Sequence, residues 1–168
     1  KLDMRRPVFV GAAASVGDHE VAVGTAYAEL RYYDVRASRR PVHEVKDATD
    51  RGVKAIAVLD DGTVVLGDQT GDVKAYDPRT RKLKKRFAGP SGSVRALAKH
   101  PTRPNLFAAC ALDRHVYVWD VNHHLQSPVA AVYCKQRLQS FAWLPDDTED
   151  RVEALLDDDD DDDDDDEP

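Results

Sequence analysis

HVYVWD at residues 115–120 closes a pattern that the chain has used twice before, as ELRYYD at 29–34 and DVKAYD at 72–77. Each copy ends in an aromatic followed by aspartate, namely Tyr33-Asp34, Tyr76-Asp77 and Trp119-Asp120, at two equal intervals of 43 residues. A fixed period of about 20–50 residues marks a repeat architecture, in which each unit buries its apolar face by stacking on its neighbours. Within the units apolar positions recur at Val73, Ala75 and Tyr76 and again at Val116, Val118 and Trp119, mostly with polar residues between. A period of two belongs to a β-strand, whose successive side chains point to opposite faces.

Working outward, turn residues divide each unit further. In the second unit Val53–Val58 is apolar-rich, Asp60-Asp61-Gly62 supplies a hairpin turn, and residues 63–66 form the next strand. Gln69-Thr70-Gly71-Asp72 turns the chain into residues 73–77, and Pro78-Arg79-Thr80 turns it into 82–87 before the breaker Gly89-Pro90. The third unit repeats the series with strands at 94–98, Leu106–Ala111, 116–120 and 129–133. Four strands per roughly 40 residues predict an all-β chain of propeller blades. LQSFAWL at 138–144 reads as one more strand, opening a further blade or closing the ring.

The chain has 168 residues, 42% of them hydrophobic, enough for one cored domain or part of one. No apolar run approaches the roughly 18 residues of a membrane helix, so the chain is read as soluble and without a membrane partner. Cys110 and Cys134 stand in apolar stretches outside any CxxC pair, which argues against a disulfide scaffold or zinc module and for a reducing compartment. The sequence opens on Lys1 with no signal-peptide pattern and reads as a fragment. Its formal net charge of −7 conceals two opposite regions. Residues 157–166 are ten consecutive aspartates followed by Glu167, and the rest of the chain carries 20 acids against 24 Lys plus Arg. A basic body with an acidic arm follows. The expected organisation is a partial propeller over residues 1–144 and an acidic, disordered tail over 145–168, where aspartates repel one another and bury no apolar surface.

The closing aspartates, the period and LFAACALDRHVYVWD at 106–120 resemble WD40 repeats over about residues 20–144. The match departs from the consensus in places. The Gly-His pair that opens a WD blade is replaced by Gly89-Pro90-Ser91-Gly92-Ser93, and Ala109 stands where the second strand carries a small hydroxyl residue. Only Asp113 and Trp119 remain of the hydrogen-bonded tetrad, so this blade is expected to hold by packing more than by a polar network. KLDMRRPV at 1–8, ELRYYDVRASRRPV at 29–42, GSVRALAKHPTRPNLFAACALDRHVYVWD at 92–120 and VYCKQRLQSF at 132–141 occur in order. Together they resemble the carboxy-terminal half of the WD repeat-containing protein 74 family of nucleolar factors for the large (60S) ribosomal subunit. That resemblance implies a seven-bladed WD40 β-propeller, of which this chain supplies about three four-stranded blades. It also implies a nuclear, nucleolar location, contact with ribosomal RNA and assembly factors of the pre-ribosomal particle, and release by a nuclear AAA-type ATPase. Relatives in that family end in basic tails, whereas this chain ends in aspartates.

Arg79, Arg81, Lys82, Lys84, Lys85 and Arg86 place six cations within eight positions. With Leu83 and Phe87 facing the blade, alternation sends Lys82, Lys84 and Arg86 outward as a stripe. Such a stripe suits phosphates, whose contacts give sequence-independent, salt-sensitive affinity. Lysines on an outer strand also keep sheet edges from pairing with one another. Arg31, Arg36, Arg39 and Arg40 hold the corresponding place in the first unit, and guanidinium suits bidentate phosphate contacts. Asp34, Asp77, Asp113, Trp119 and Asp120 are the structural positions of the repeat, with Tyr33, Tyr76 and Trp119 expected in the core.

Nothing in the chain reads as catalytic machinery. There is no GxSxG elbow, P-loop or dinucleotide glycine motif, and neither cysteine has the electropositive setting of a nucleophile. The six histidines are scattered rather than grouped as ligands. A non-enzymatic scaffold for RNA and assembly proteins is expected, with no cofactor, metal or small-molecule substrate. The alternative is a generic WD40 adaptor for protein partners such as ubiquitin-ligase or chromatin complexes. For the aspartate tail two readings stand: a solvated spacer, or an arm that screens the basic body until a partner displaces it.

Overall fold

Side-chain oxygens and left-handed residues set the strand ends, and they recur with the sequence period. A computed structural model of the chain describes residues 7–37 and 39–144, which contain twelve strands and no helix. The segment expected to be a disordered tail, 145–168, lies outside the described residues. Between the second and third strands of the three units, Ala28, Gly71 and Arg114 hold the same place at φ of 64°, 102° and 71°. A non-glycine residue in this region costs roughly 1–2 kcal/mol, so the turn needs compensating bonds. Thr25 Oγ1 accepts the Glu29 N–H at 3.1 Å, and Asp68 Oδ1 accepts the N–H groups of Thr70, Gly71 and Asp72 at 2.8, 3.0 and 2.9 Å. In the third unit the equivalent position is Ala111, which has no oxygen to offer. Asp113 supplies one instead, accepting the His115 N–H at 3.1 Å.

A second recurrent turn follows each third strand. Asp34 accepts the Arg36 N–H at 2.9 Å, Asp77 accepts those of Arg79 and Thr80 at 2.8 and 2.7 Å, and Asp120 accepts that of Asn122 at 2.8 Å. The aspartate of each repeated dipeptide therefore folds the chain into its outer strand by mimicking a backbone acceptor.

The strands form three antiparallel sheets, each in simple sequential order. The first comprises β1 (Val10–Ser15), β2 (Glu20–Thr25), β3 (Leu30–Asp34) and β4 (His43–Val45). The second comprises β5 (Val53–Val58), β6 (Val64–Asp68), β7 (Val73–Tyr76) and β8 (Leu83–Phe87), and the third β9 (Val94–Lys99), β10 (Leu106–Ala111), β11 (His115–Asp120) and β12 (Ala130–Tyr133). Residues 138–144 depart from expectation, because among the described residues no strand pairs with them. They lie beside β9, where Arg95 donates to Gln139 Oε1 at 3.1 Å and Trp143 Nε1–H reaches the Ala98 carbonyl at 3.4 Å.

The sheets stack through their inner strands, with β5 packed against both β1 and β9. Gly24 and Gly67 make this approach possible: the side chain of Val53 lies over the first and that of Val94 over the second. A methyl added at Gly67 would stand 2.5 Å from Val94 Cγ1. Leu30, Tyr32, Val53, Leu66 and Tyr76 fill the first junction, and Val65, Val73, Phe87, Phe107 and Trp119 fill the second. Full burial of one such side chain contributes about 1.5–3 kcal/mol. Tyr33 corrects the core expectation, since Tyr32 is fully buried and Tyr33 only partly. Tyr33 has the register of Tyr76 and Trp119, whose rings face the preceding sheet. Among the described residues no sheet precedes the first.

Candidate functional site

Contacts between neighbouring sheets show that all three blades stand the same way up. Arg81, in the β7–β8 turn, pairs with Glu20 at the start of β2, and Lys99 at the end of β9 pairs with Asp60 in the β5–β6 turn. The turns after β1, β3, β5, β7, β9 and β11 therefore gather at one end of the stack. Arg36, Arg39 and Arg40 lie in its β3–β4 turn, Arg79, Arg81 and Lys82 in its β7–β8 turn, and Arg103 in its β9–β10 turn. We call this the basic end.

The cations singled out from the sequence divide into two groups. Some hold the blades. Arg81 reaches across to the first blade, where its guanidinium also lies 3.8 Å from the centroid of the Tyr32 ring. Lys85 reaches the other way, donating to the Val121 and His123 carbonyls of the third blade over the ring of Phe87. Burial lowers its pKa from the ordinary lysine value. Arg31, only 19% exposed, pairs with Glu29 at 2.7 Å and Glu44 at 2.8 Å. Lys84 donates to Thr63 Oγ1 at 3.3 Å and Asp61 at 3.4 Å, and Arg86 to Asp50 at 3.1 Å and Asp72 at 3.4 Å.

Lys84 and Arg86 are exposed as well as paired, and the remaining cations face solvent. Arg36 is 67% exposed and lies 3.7 Å from Asp34 of its own turn. Arg39, Arg40, Arg79 and Lys82 are exposed, and among the described residues Arg39, Arg79 and Lys82 form no ion pair. Lys82, Lys84 and Arg86 are all exposed, as the alternation predicts, but Lys84 and Arg86 are ion-paired and the alternation around them is interrupted. Leu83 is 48% exposed because a bulge against Ala75 and Tyr76 shifts the register at Lys84, and only Phe87 of the two apolar residues is buried.

Sequence reasoning did not mark the polar supports at the opposite end. Lys74, with 5% of its side chain exposed, sits between Asp50 at 2.9 Å and Asp72 at 2.8 Å. Burial pulls its ammonium pKa down, but the hydrogen bonds to Asp72 and Asp50 outweigh this and leave it raised. The 43-residue period could have revealed the position, since Arg31, Lys74 and Tyr117 share one register.

A family model described as WD domain, G-beta repeat matches residues 81–120. Mouse and human WD repeat-containing protein 74 are each 32% identical to this chain over 143 residues, 82% of its length. The chain belongs to the WD40-repeat proteins. It is homologous to WD repeat-containing protein 74 and spans 36% of the length of those mouse and human relatives. The ribosome biogenesis protein nsa1 of Schizosaccharomyces pombe is 28% identical over 115 residues, covering 66% of this chain and 27% of that protein. Among solved structures, the RRP9 WD40 repeats superpose with a TM-score of 0.70 and 18% identity over 79% of this chain and 41% of that one. A chain of the mitotic checkpoint complex gives 0.69 and 21%, over 76% and 39%. These likenesses establish the propeller-blade fold.

Against the WD40 pattern, the third blade keeps more polar bonding than its sequence suggests. Asp113 Oδ2 accepts the Tyr117 hydroxyl at 2.7 Å and the Ser91 N–H at 2.8 Å, while Trp119 Nε1–H donates to the Ala88 carbonyl at 3.1 Å. Tyr117 thus stands in for the missing tetrad members. Burial, reinforced by the bond to Asp113, pushes its hydroxyl pKa up to about 12. Burial raises the Asp113 carboxyl, but the donors from Ser91, Tyr117 and His115 outweigh it and hold the group below the ordinary value.

Proposed function

We propose that this WD40 chain is part of a non-catalytic ribosome-biogenesis scaffold that works in nuclear, nucleolar precursors of the large (60S) subunit. The similarity to WD repeat-containing protein 74 over 82% of the chain carries this reading, and the similarity to nsa1, named for ribosome biogenesis, supports it. Residues 1–144 act as a partial propeller and 145–168 as an acidic appendage. Ribosomal RNA engages the exposed arginines and lysine of the basic end, chiefly Arg36, Arg39, Arg40, Arg79 and Lys82, by phosphate contacts that fix position without reading sequence. Arg31, Arg81, Lys84, Lys85 and Arg86 hold the blades and add to the field. Assembly proteins share the scaffold, and a nuclear AAA-type ATPase dissociates it.

Sedimentation of nuclear extract on a sucrose gradient tests the reading, with the full-length tagged protein and an Arg39→Glu/Arg79→Glu/Lys82→Glu variant in parallel. The wild type is expected to travel with large-subunit precursor RNA and the variant to move towards light fractions. Co-migration that survives the substitutions moves the RNA interface elsewhere. A wild-type protein found only in light fractions contradicts the ribosomal role and favours a protein adaptor.

A further inference from the structure

We propose that the aspartate run of residues 157–166 docks on the basic end of the blades, as a tethered polyanion that occupies the surface other polyanions would use. Three observations converge on this occupant. The first is charge. The run is ten consecutive aspartates, and the basic end presents exposed Arg36, Arg39, Arg79, Lys82 and Arg103 from three neighbouring turns. Most carboxylates of the same end are turned to other work, the exposed Asp18 of the β1–β2 turn excepted. Asp34, Asp77 and Asp120 accept backbone N–H groups of their own turns, and Glu20 and Asp60 pair with Arg81 and Lys99.

The second observation is where the chain leaves the blades. The Trp143 ring packs on that of His100 with centroids 4.5 Å apart, and His100 Nδ1 caps the β9–β10 turn by accepting the Thr102 and Arg103 N–H groups at 3.2 and 3.1 Å. Leu144, 68% exposed, therefore departs at the basic end itself. The third is reach. Thirteen steps separate residue 144 from residue 157, and an extended chain covers at most about 45 Å in that distance, enough to cross the neighbouring turns. Attachment at the same end keeps the effective concentration of aspartate high, of millimolar order for a short linker. The attraction acts within a Debye length of about 8 Å at physiological ionic strength, so docking is salt-sensitive.

The inference needs no RNA and can be tested without it. Carbodiimide joins a carboxylate to a lysine amine only where the two touch, and the full chain carries exposed lysines at both ends of the blades. Lys82 and Lys99 lie at the basic end, and Lys46 and Lys135 at the other. Peptide mass spectrometry after coupling is expected to find the aspartate run joined to Lys82 or Lys99 at least about fivefold more often than to Lys46 or Lys135. That preference should disappear in about 1 M salt, where the Debye length is about 3 Å. Coupling spread evenly over the four lysines, or indifferent to salt, overturns the proposal. An Arg36→Glu/Arg39→Glu/Arg79→Glu variant should lose the preference while keeping its wild-type circular dichroism, and a folded variant that retains it also overturns the proposal. A 20-nucleotide oligouridylate added before coupling separates this inference from the RNA reading. Lysine preference that oligouridylate does not displace supports docking and counts against RNA at this surface, whereas RNA binding without any preference does the reverse.

Discussion

The two junctions between blades share one device and differ in everything around it. In both, a glycine of the second strand admits a valine of the next inner strand: Val53 over Gly24 and Val94 over Gly67. The first junction is then closed by aliphatic side chains, by Tyr76 donating its hydroxyl to the Ala48 carbonyl at 2.6 Å, and by the Arg81 bridge to Glu20. The second is closed by rings. Trp119 stacks on Phe107 at 5.3 Å and on Tyr117 at 5.6 Å, and Phe87 meets Phe107 edge-on at 5.0 Å. The repeat thus conserves the close approach of the backbones and leaves each junction its own chemistry. The aromatic junction rests on area and ring geometry, which salt leaves unchanged. The polar closure of the first rests in part on charge, which salt screens.

Four substitutions sharpen that contrast, read by urea unfolding of the full-length protein. Trp119→Ala removes the ring at the centre of the second junction together with its bond to Ala88, and should destabilise by about 3–5 kcal/mol. Gly67→Ala should cost about 1–3 kcal/mol by forcing the blades apart, and Gly24→Ala a similar amount. A large difference between the two glycines would show that the shared device is not what sets the spacing. Arg81→Ala removes an ion pair and a cation–π contact and should cost about 1–2 kcal/mol at low salt and less at high salt. An effect that salt leaves unchanged would contradict the electrostatic account of the first junction.

The smallest effect belongs to Tyr117→Phe, which leaves Asp113 with one donor fewer and should cost about 1 kcal/mol at neutral pH. Its signature is in the pH dependence. The folded-state pKa of Tyr117 is raised to about 12, so its contribution is intact below the unfolded value near 10 and fades as pH climbs from about 10 towards 12. Wild type should lose stability over that window, and the phenylalanine variant should lose less. The carboxyls of Asp50, Asp61, Asp77 and Asp113 are all held below their ordinary value. Their contribution is present above the unfolded value near 4 and is lost as pH falls through the lower folded values. Asp113→Asn should therefore blunt the acid limb without abolishing it.

The strands were legible wherever alternation and turn residues agreed. Val53–Val58 and Leu106–Ala111 begin and end where the sequence puts them, because Gly, Pro or Asp stands close to each boundary. What escaped depends on neighbours in space. Tyr32 and Tyr33 are both aromatic, and only the stacking of sheets decides which one is covered. Residues 138–144 have a strand pattern, yet a strand needs a partner to form a ladder. The basic run on β8 was visible as charge, but its division into blade-holding and outward cations depends on Glu20 and on the Val121 and His123 carbonyls, all distant in sequence. Asp68, buried under five donor groups, has no motif at all and is visible only by comparison with Thr25 one period earlier.

The central claim is that the outward cations of the basic end meet ribosomal precursor RNA while the inward ones hold the blades. Ultraviolet crosslinking of the full-length protein in cells, followed by sequencing of the RNA attached to it, tests this most directly. The account predicts enrichment of large-subunit precursor RNA, with crosslinked peptides from the β3–β4 and β7–β8 turns, and its loss in the Arg39→Glu/Arg79→Glu/Lys82→Glu variant. Recovery of no ribosomal precursor above background, from a protein shown to be folded and expressed, would contradict it.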